Sequence, residues 1–115
     1  MRRVTQKSGT PDAGSRLLSS LGLAARAGQL RVGFDAVSGS IRSGQAVAVI
    51  VACDAPRSVR KRLERLLASQ PVPHRLVLDG DRLGAAVGRE RVVALAVTER
   101  SLGQRVMDLA EEVEG

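Results

Sequence analysis

Two unbroken apolar runs, Ala46–Ala52 (AVAVIVA) and Val92–Val97 (VVALAV), set the terms for any fold of this chain. A strand with one wet face alternates apolar and polar side chains, so a run with no polar member predicts a strand covered on both faces. The covering layers must come from the segments between, and their periodicity is helical. Leu17, Leu18, Leu21, Ala24 and Ala25 fall on one helix face behind a Ser15 cap, with Gly28 as the stop. After a short apolar step, Leu30 to Val32, a second helix is predicted from about Phe34 to Arg42, weakened by the interior Gly39. Asp54, Pro56 and Ser58 supply turn and cap chemistry for a third helix with Val59, Leu63, Leu66 and Leu67 inward, ended by Pro71 and Pro73. Arg75–Leu78 reads as a strand and Asp81–Val87 as a short helix. Ser101 caps a last helix that buries Leu102, Val106, Leu109, Ala110 and Val113. Strands alternating with helices predict an α/β protein, a three-layer α/β/α sandwich around a central, mostly parallel or mixed four-stranded sheet. The chain of 115 residues has room for one such domain, over residues 15–115. Residues 1–14, rich in Arg, Lys, Ser, Thr, Gly and Pro, read as a flexible basic arm.

Charge narrows the choice of partners. Eighteen Lys and Arg against 12 Asp and Glu leave +6, and 16 of the 18 cations are Arg. Asp108, Glu111, Glu112 and Glu114 concentrate −4 in the last ten residues, so residues 1–105 carry +10. Such a basic body suits a polyanion, because the Arg fork matches phosphate geometry and displaces counterions. Phe34 is the only aromatic residue, which excludes the stacking platforms of RRM and single-strand-binding OB-folds. Any RNA would be gripped by shape, backbone and base edges. The longest uncharged stretch, Ser43 to Cys53, is 11 residues, well short of the ~20 a membrane helix needs. Met1-Arg2-Arg3 leads into polar residues rather than a secretory apolar run. One Cys permits no internal disulfide and fits a reducing, cytoplasmic setting; one His and one Cys make no ordinary zinc site.

Catalytic and phosphate-loop motifs fail one by one. Gly22–Gly28 has the wrong gap for a P-loop, and Gln29 stands where Lys is needed. Gly80, Gly84 and Gly88 recur every four residues, the spacing of close packing on one helix face rather than of a dinucleotide turn. Asp54 lacks the upstream acidic pair that a phosphoacceptor needs to hold a metal, and reads as a turn or cap residue. Cys53, at the end of an apolar strand, reads as a buried thiol, and His74 as a partly exposed strand-start residue, so they form no nucleophile–base pair. The expectation is a non-enzyme with no cofactor and no metal.

Four stretches carry a resemblance: LGLAARAGQLRVG (Leu21–Gly33), AVSGSIRSGQAVAVIVACDA (Ala36–Ala55), Val72-Pro73, and LGAAVGRERVVALAV (Leu83–Val97). In this order and spacing the segment from Leu18 to Val106 resembles the kink-turn-binding ribosomal-protein family, with the seven-Ae, Pelota-like RNA-binding fold, and most of all its small bacterial stand-alone members. The resemblance implies an RNA partner, structured or ribosomal, gripped by the start of the second helix and two neighbouring loops. A monomer with no membrane role is expected, with ribosomal proteins as further partners.

The family's helix motif is Gly-x-Asn-Glu-x-x-Lys, and here that segment runs from Gly33 to Gly39 (GFDAVSG). Gly33 matches. Asp35 keeps an acceptor for a guanine N–H and loses the amide donor. Ala36 removes the carboxylate and Gly39 the cation, while Arg31 stands where the family often has a basic residue. Asp54 matches in the loop after the first apolar strand. Gly88-Arg89-Glu90-Arg91 replaces a mostly apolar loop before the last strand and suits phosphate. The implied RNA-binding residues are therefore Arg31, Gly33, Asp35, Asp54, Arg89 and Arg91. Two readings stay beside RNA binding: a protein-interaction or ribosome-assembly module that has lost direct readout, and a substrate-binding domain acting in trans in RNA ribose methylation.

Overall fold

A computed structural model describes residues 12–114. Helix α1 (Ala13–Arg26) is followed by β1 (Leu30–Val32), α2 (Phe34–Arg42), β2 (Ala48–Val51) and α3 (Arg57–Ser69). Then come β3 (His74–Leu76), α4 (Gly80–Val87), β4 (Ala94–Val97) and α5 (Arg100–Glu114). Every predicted element is present; β1 has its predicted bounds, β2 and β4 are shorter than the apolar runs that announced them, and β3 starts one residue early at His74 and stops at Leu76. The cap of α1 is Asp12, whose Oδ1 accepts from Ser15 N at 2.8 Å, so Ser15 lies inside the helix. Residues 12–14 thus belong to the domain, and the rest of the expected arm lies outside the described residues. At α5 the capping carboxylate is Glu99, which accepts from Ser101 N and Leu102 N in place of a Ser101 cap.

The sheet order is β1-β4-β2-β3. β1 and β2 both run antiparallel to β4, with Leu30 opposite Val97 and Val51 opposite Ala94. β2 and β3 are parallel, with Val51 opposite Leu76. The sheet is therefore mixed, with one parallel pair out of three. β1, β2 and β3 share a direction, and the last strand is inserted between two of them the other way round. Helix–strand alternation predicts the layers but not which strands become neighbours, which is why a mostly parallel sheet was one of the two expectations.

α1 packs on α4 and α5, and α2 packs on α3, which builds the two outer layers. Ala48–Val51 and Ala94–Val97 are sealed by them, none more than 2% exposed. Leu17, Leu21, Ile41, Leu63, Leu83 and Val106 reach this core from all five helices. Each such side chain contributes roughly 1.5–3 kcal/mol by leaving water. The Gly80/Gly84/Gly88 series has a divided use. A Cβ on Gly84 would stand 2.7 Å from the Glu90 carbonyl oxygen, so α4 can lie against the 88–91 loop only with glycine there. Gly88 is the left-handed residue that ends α4 (φ 79°).

The candidate site at one edge of the sheet

The three segments singled out from the sequence meet at one end of the sheet. Parallel strands β1 and β2 deliver their carboxyl ends there, and β4 begins there, the place where open α/β sheets usually bind ligands. Gly33 N donates to Ala94 O at 3.0 Å, and Ala52 N donates to Val93 O at 2.9 Å. The start of α2, the loop after β2 and the approach to β4 are thereby tied into one rim.

Gly33 holds φ 96° and ψ 162°, a region open to glycine and strained for other residues. This turn lets the chain leave β1 and enter α2 at once. No side chain caps α2, and its first turn carries Asp35, exposed, as the charge favoured at a positive helix end. With no side-chain cap, the first-turn amides are left for an outside acceptor, as at anion-binding helix ends. α3, entered from the same rim through Pro56, also lacks a side-chain cap. By contrast α1 and α4 are capped by Asp12 and Asp79.

Asp54 is the brace of the rim. Its Oδ1 accepts from Gly80 N at 2.9 Å and its Oδ2 pairs with Arg91 Nη2 at 3.1 Å. The Gly80 amide first, and Arg91 with it, outweigh the opposing desolvation and hold this carboxyl below its usual value near 3.8. Arg91 also lies 3.5 Å from Asp81 Oδ1, so two carboxylates orient it. Arg89 is exposed and has no ion pair among the described residues. Arg31 stands apart. Its guanidinium folds back 3.1 Å from Leu30 O and 3.5 Å from Gly28 O, toward the turn before β1.

Cys53, expected to be buried, is exposed, because β2 pairing ends at Val51 and Cys53 already belongs to the turn, with its N–H on Leu78 O. Phe34 is half-buried against the core, and Arg62 of α3 covers its ring at 4.6 Å from the centroid. None of the α3 cations is among the RNA-binding residues that the sequence marks. The signal was there: α3 carries Arg57, Arg60, Lys61, Arg62 and Arg65 against a single acid, Glu64. None of these five forms an ion pair among the described residues. Three of the four α5 acids pair elsewhere, Glu112 with Arg16 and Glu111 and Glu114 with Arg75. Among the described residues no group of three or more His, Cys, Asp or Glu is placed to hold a metal ion. Nor is any helix among them long and apolar enough to cross a membrane.

The mixed four-stranded sandwich with its glycine-gated α2 defines a class, and the family comparison agrees with it. Residues 15–105 match the ribosomal protein L7Ae/L30e/S12e/Gadd45 family, to which this chain belongs. Among individual relatives, the RNA-binding protein YlxQ of Bacillus subtilis is 31% identical over 91 residues, covering 79% of this chain and 91% of that protein. A protein of unknown function from Bacillus halodurans superposes with TM-score 0.80 at 32% identity, over 84% of this chain and 97% of the other. A 15.5 kD RNA-binding protein from Giardia lamblia shares the fold, with TM-score 0.74 at 20% identity, over 99% and 98% of the two chains.

Proposed function

We propose that this chain is a non-catalytic RNA-binding protein of the cytoplasm that recognises structured RNA, kink-turn-like or ribosomal. The observation that carries the reading is the uncapped, glycine-entered start of α2 at the rim shared with the Asp54 and 88–91 loops, in a member of this family. Gly33 lets phosphate or a base edge approach the α2 amides, and Asp35 accepts from a guanine N–H. Arg89 neutralises phosphate from the loop. Asp54 and the Arg91 it orients shape the rim, with Arg91 offering its free edge to the backbone. Arg31 spends only Nη1 on the Leu30 and Gly28 carbonyls and keeps Nε and Nη2 as donors for phosphate. The YlxQ relative, described as RNA-binding, supports the substrate class.

The test is titration of a kink-turn RNA and a plain duplex of equal length at two salt concentrations. The reading expects tighter binding to the kinked RNA and a steep loss of affinity with salt. Equal affinity for both RNAs would remove shape recognition. The missing carboxylate and cation at Ala36 and Gly39 favour a second reading, a protein-interaction or ribosome-assembly module. A protein partner that survives nuclease treatment in a pull-down supports that alternative, and loss of every partner with nuclease removes it.

A further inference from the structure

Between α2 and α3 lies a cleft of about 300 Å³, away from the rim loops, lined among others by Phe34, Ser38, Arg42, Arg62, Arg65 and Ser69. Its cations are unspent: none of the three arginines makes an ion pair or donates a side-chain hydrogen bond among the described residues. The Arg62 guanidinium carbon stands 4.6 Å from the centroid of the Phe34 ring, a cation–π contact that holds the side chain at the cleft and leaves its N–H groups available. Ser38 is 2% exposed, and its hydroxyl has no hydrogen-bond partner, the one such buried side-chain atom among the described residues. A buried hydroxyl without a partner is uncommon in a native interior and points to an acceptor from outside. Gln70 Nε2, 3.2 Å from both Ile41 O and Arg42 O, ties the far ends of the two helices and fixes the width of the cleft.

We propose that this cleft is a phosphate-binding subsite for the RNA backbone, with Arg62 and Arg65 as its cations and Ser38 as a hydroxyl donor. It extends the grip from the start of α2 onto the stem flanking the recognised element, and so rests on the RNA-binding reading above. Phe34 thereby joins core and interface, holding Arg62 in place rather than stacking on a base.

The experiment compares two double variants of the full chain that lose equal charge from the same helix. One is Arg62→Ala with Arg65→Ala in the cleft, and the other is Arg57→Ala with Lys61→Ala outside it. Affinity for the kink-turn RNA and the plain duplex is measured across salt. The cleft pair is expected to flatten the log-affinity against log-salt slope by about 1.8, two phosphates' worth, while preference for the kinked RNA is kept. Equal flattening by both pairs, or none by the cleft pair, overturns the subsite. Ser38→Ala is expected to raise the melting temperature, by removing the unpartnered hydroxyl, and yet weaken RNA binding. Unchanged affinity would remove Ser38 as a ligand. Inorganic phosphate is the remaining arm: protection of the wild type against heat by phosphate, with an unaltered RNA slope in the cleft variant, assigns the cleft to a free anion and overturns the proposal. A wild type without kink-turn preference refutes the proposed function, whereas flattening confined to the cleft pair on either RNA still supports the subsite.

Discussion

The same substitution at two glycines of one helix should change stability in opposite directions. Gly33 enters α2 with φ 96° and ψ 162°, whereas Gly39 sits in the helix interior with no positive φ. A Cβ at either position meets nothing within 4 Å, so steric crowding drops out and only backbone conformation remains. Alanine at Gly33 is strained by about 1–3 kcal/mol in that region. Reduced freedom of the unfolded chain returns about 0.4–1 kcal/mol, leaving a net loss of roughly 1–2 kcal/mol. Alanine at Gly39 incurs no strain and gains about 0.5–1 kcal/mol of helix stability. With a urea slope of roughly 1.5 kcal/mol per molar, the midpoint falls by about 1 M for Gly33→Ala and rises by about 0.5 M for Gly39→Ala. Urea unfolding followed by helical circular dichroism reads both shifts. Midpoints that move the same way would refute the assignment of Gly33 as the conformational gate of α2. If the gate is also the RNA-facing end, Gly33→Ala weakens kink-turn binding beyond what its loss of stability explains.

Three further outcomes follow from the same geometry. Gly84→Ala drives a methyl into the Glu90 carbonyl and should cost about 1–3 kcal/mol in urea unfolding; a neutral result would mean the 88–91 loop yields freely. Asp54, with its folded-state carboxyl held below the usual value near 3.8, contributes stability that is complete above that value. That contribution fades as pH falls from there through the lowered folded-state value. Asp54→Asn should therefore flatten the acid limb of the wild-type stability profile and leave the slope at neutral pH unaltered, and an unchanged acid limb in thermal melts would show that the brace is not coupled to folding. Finally, Ala36→Glu with Gly39→Lys restores the family's carboxylate and cation at two exposed positions of α2. Affinity for a kink-turn RNA should rise at least about tenfold, since each recovered contact is worth about 1–3 kcal/mol; no gain would place recognition elsewhere on the molecule.

The layers were legible because burial leaves a periodic trace. AVAVIVA and VVALAV announced strands covered on both faces, and α1 buries Leu17, Leu21 and Ala24 from the face that its apolar spacing predicts. Strand neighbours leave no such trace, so β4 standing between β1 and β2 was invisible until the register was seen. Cys53 shows the same limit on a smaller scale: an apolar run predicts a strand but not the residue at which pairing stops. Of the candidate site, Gly33 and Asp54 could be marked from the resemblance. The partners of Asp54 could not, because Gly80 and Arg91 come from distant segments and meet it only in the fold. The α3 cations were in plain view as letters. Their meeting with Phe34 and Ser38 around one cleft depends on how α2 and α3 pack, which no helical period records.

The placement of β4 also orders events in time. Leu30 pairs with Val97, and Gly33 takes its amide partner from Ala94, so the first strand and the entry to α2 wait for a segment near the other end of the chain. While the protein is being synthesised, residues 30–42 have no sheet to join until residues 94–97 have emerged from the ribosome. The rim at Gly33 is thus completed by almost the last core element made, and its assembly is governed by slow, long-range strand pairing rather than by local helix formation. Asp54, Gly80 and Arg91 emerge before β4, so the brace is free to form first, whereas the Gly33 entry to α2 waits for Ala94.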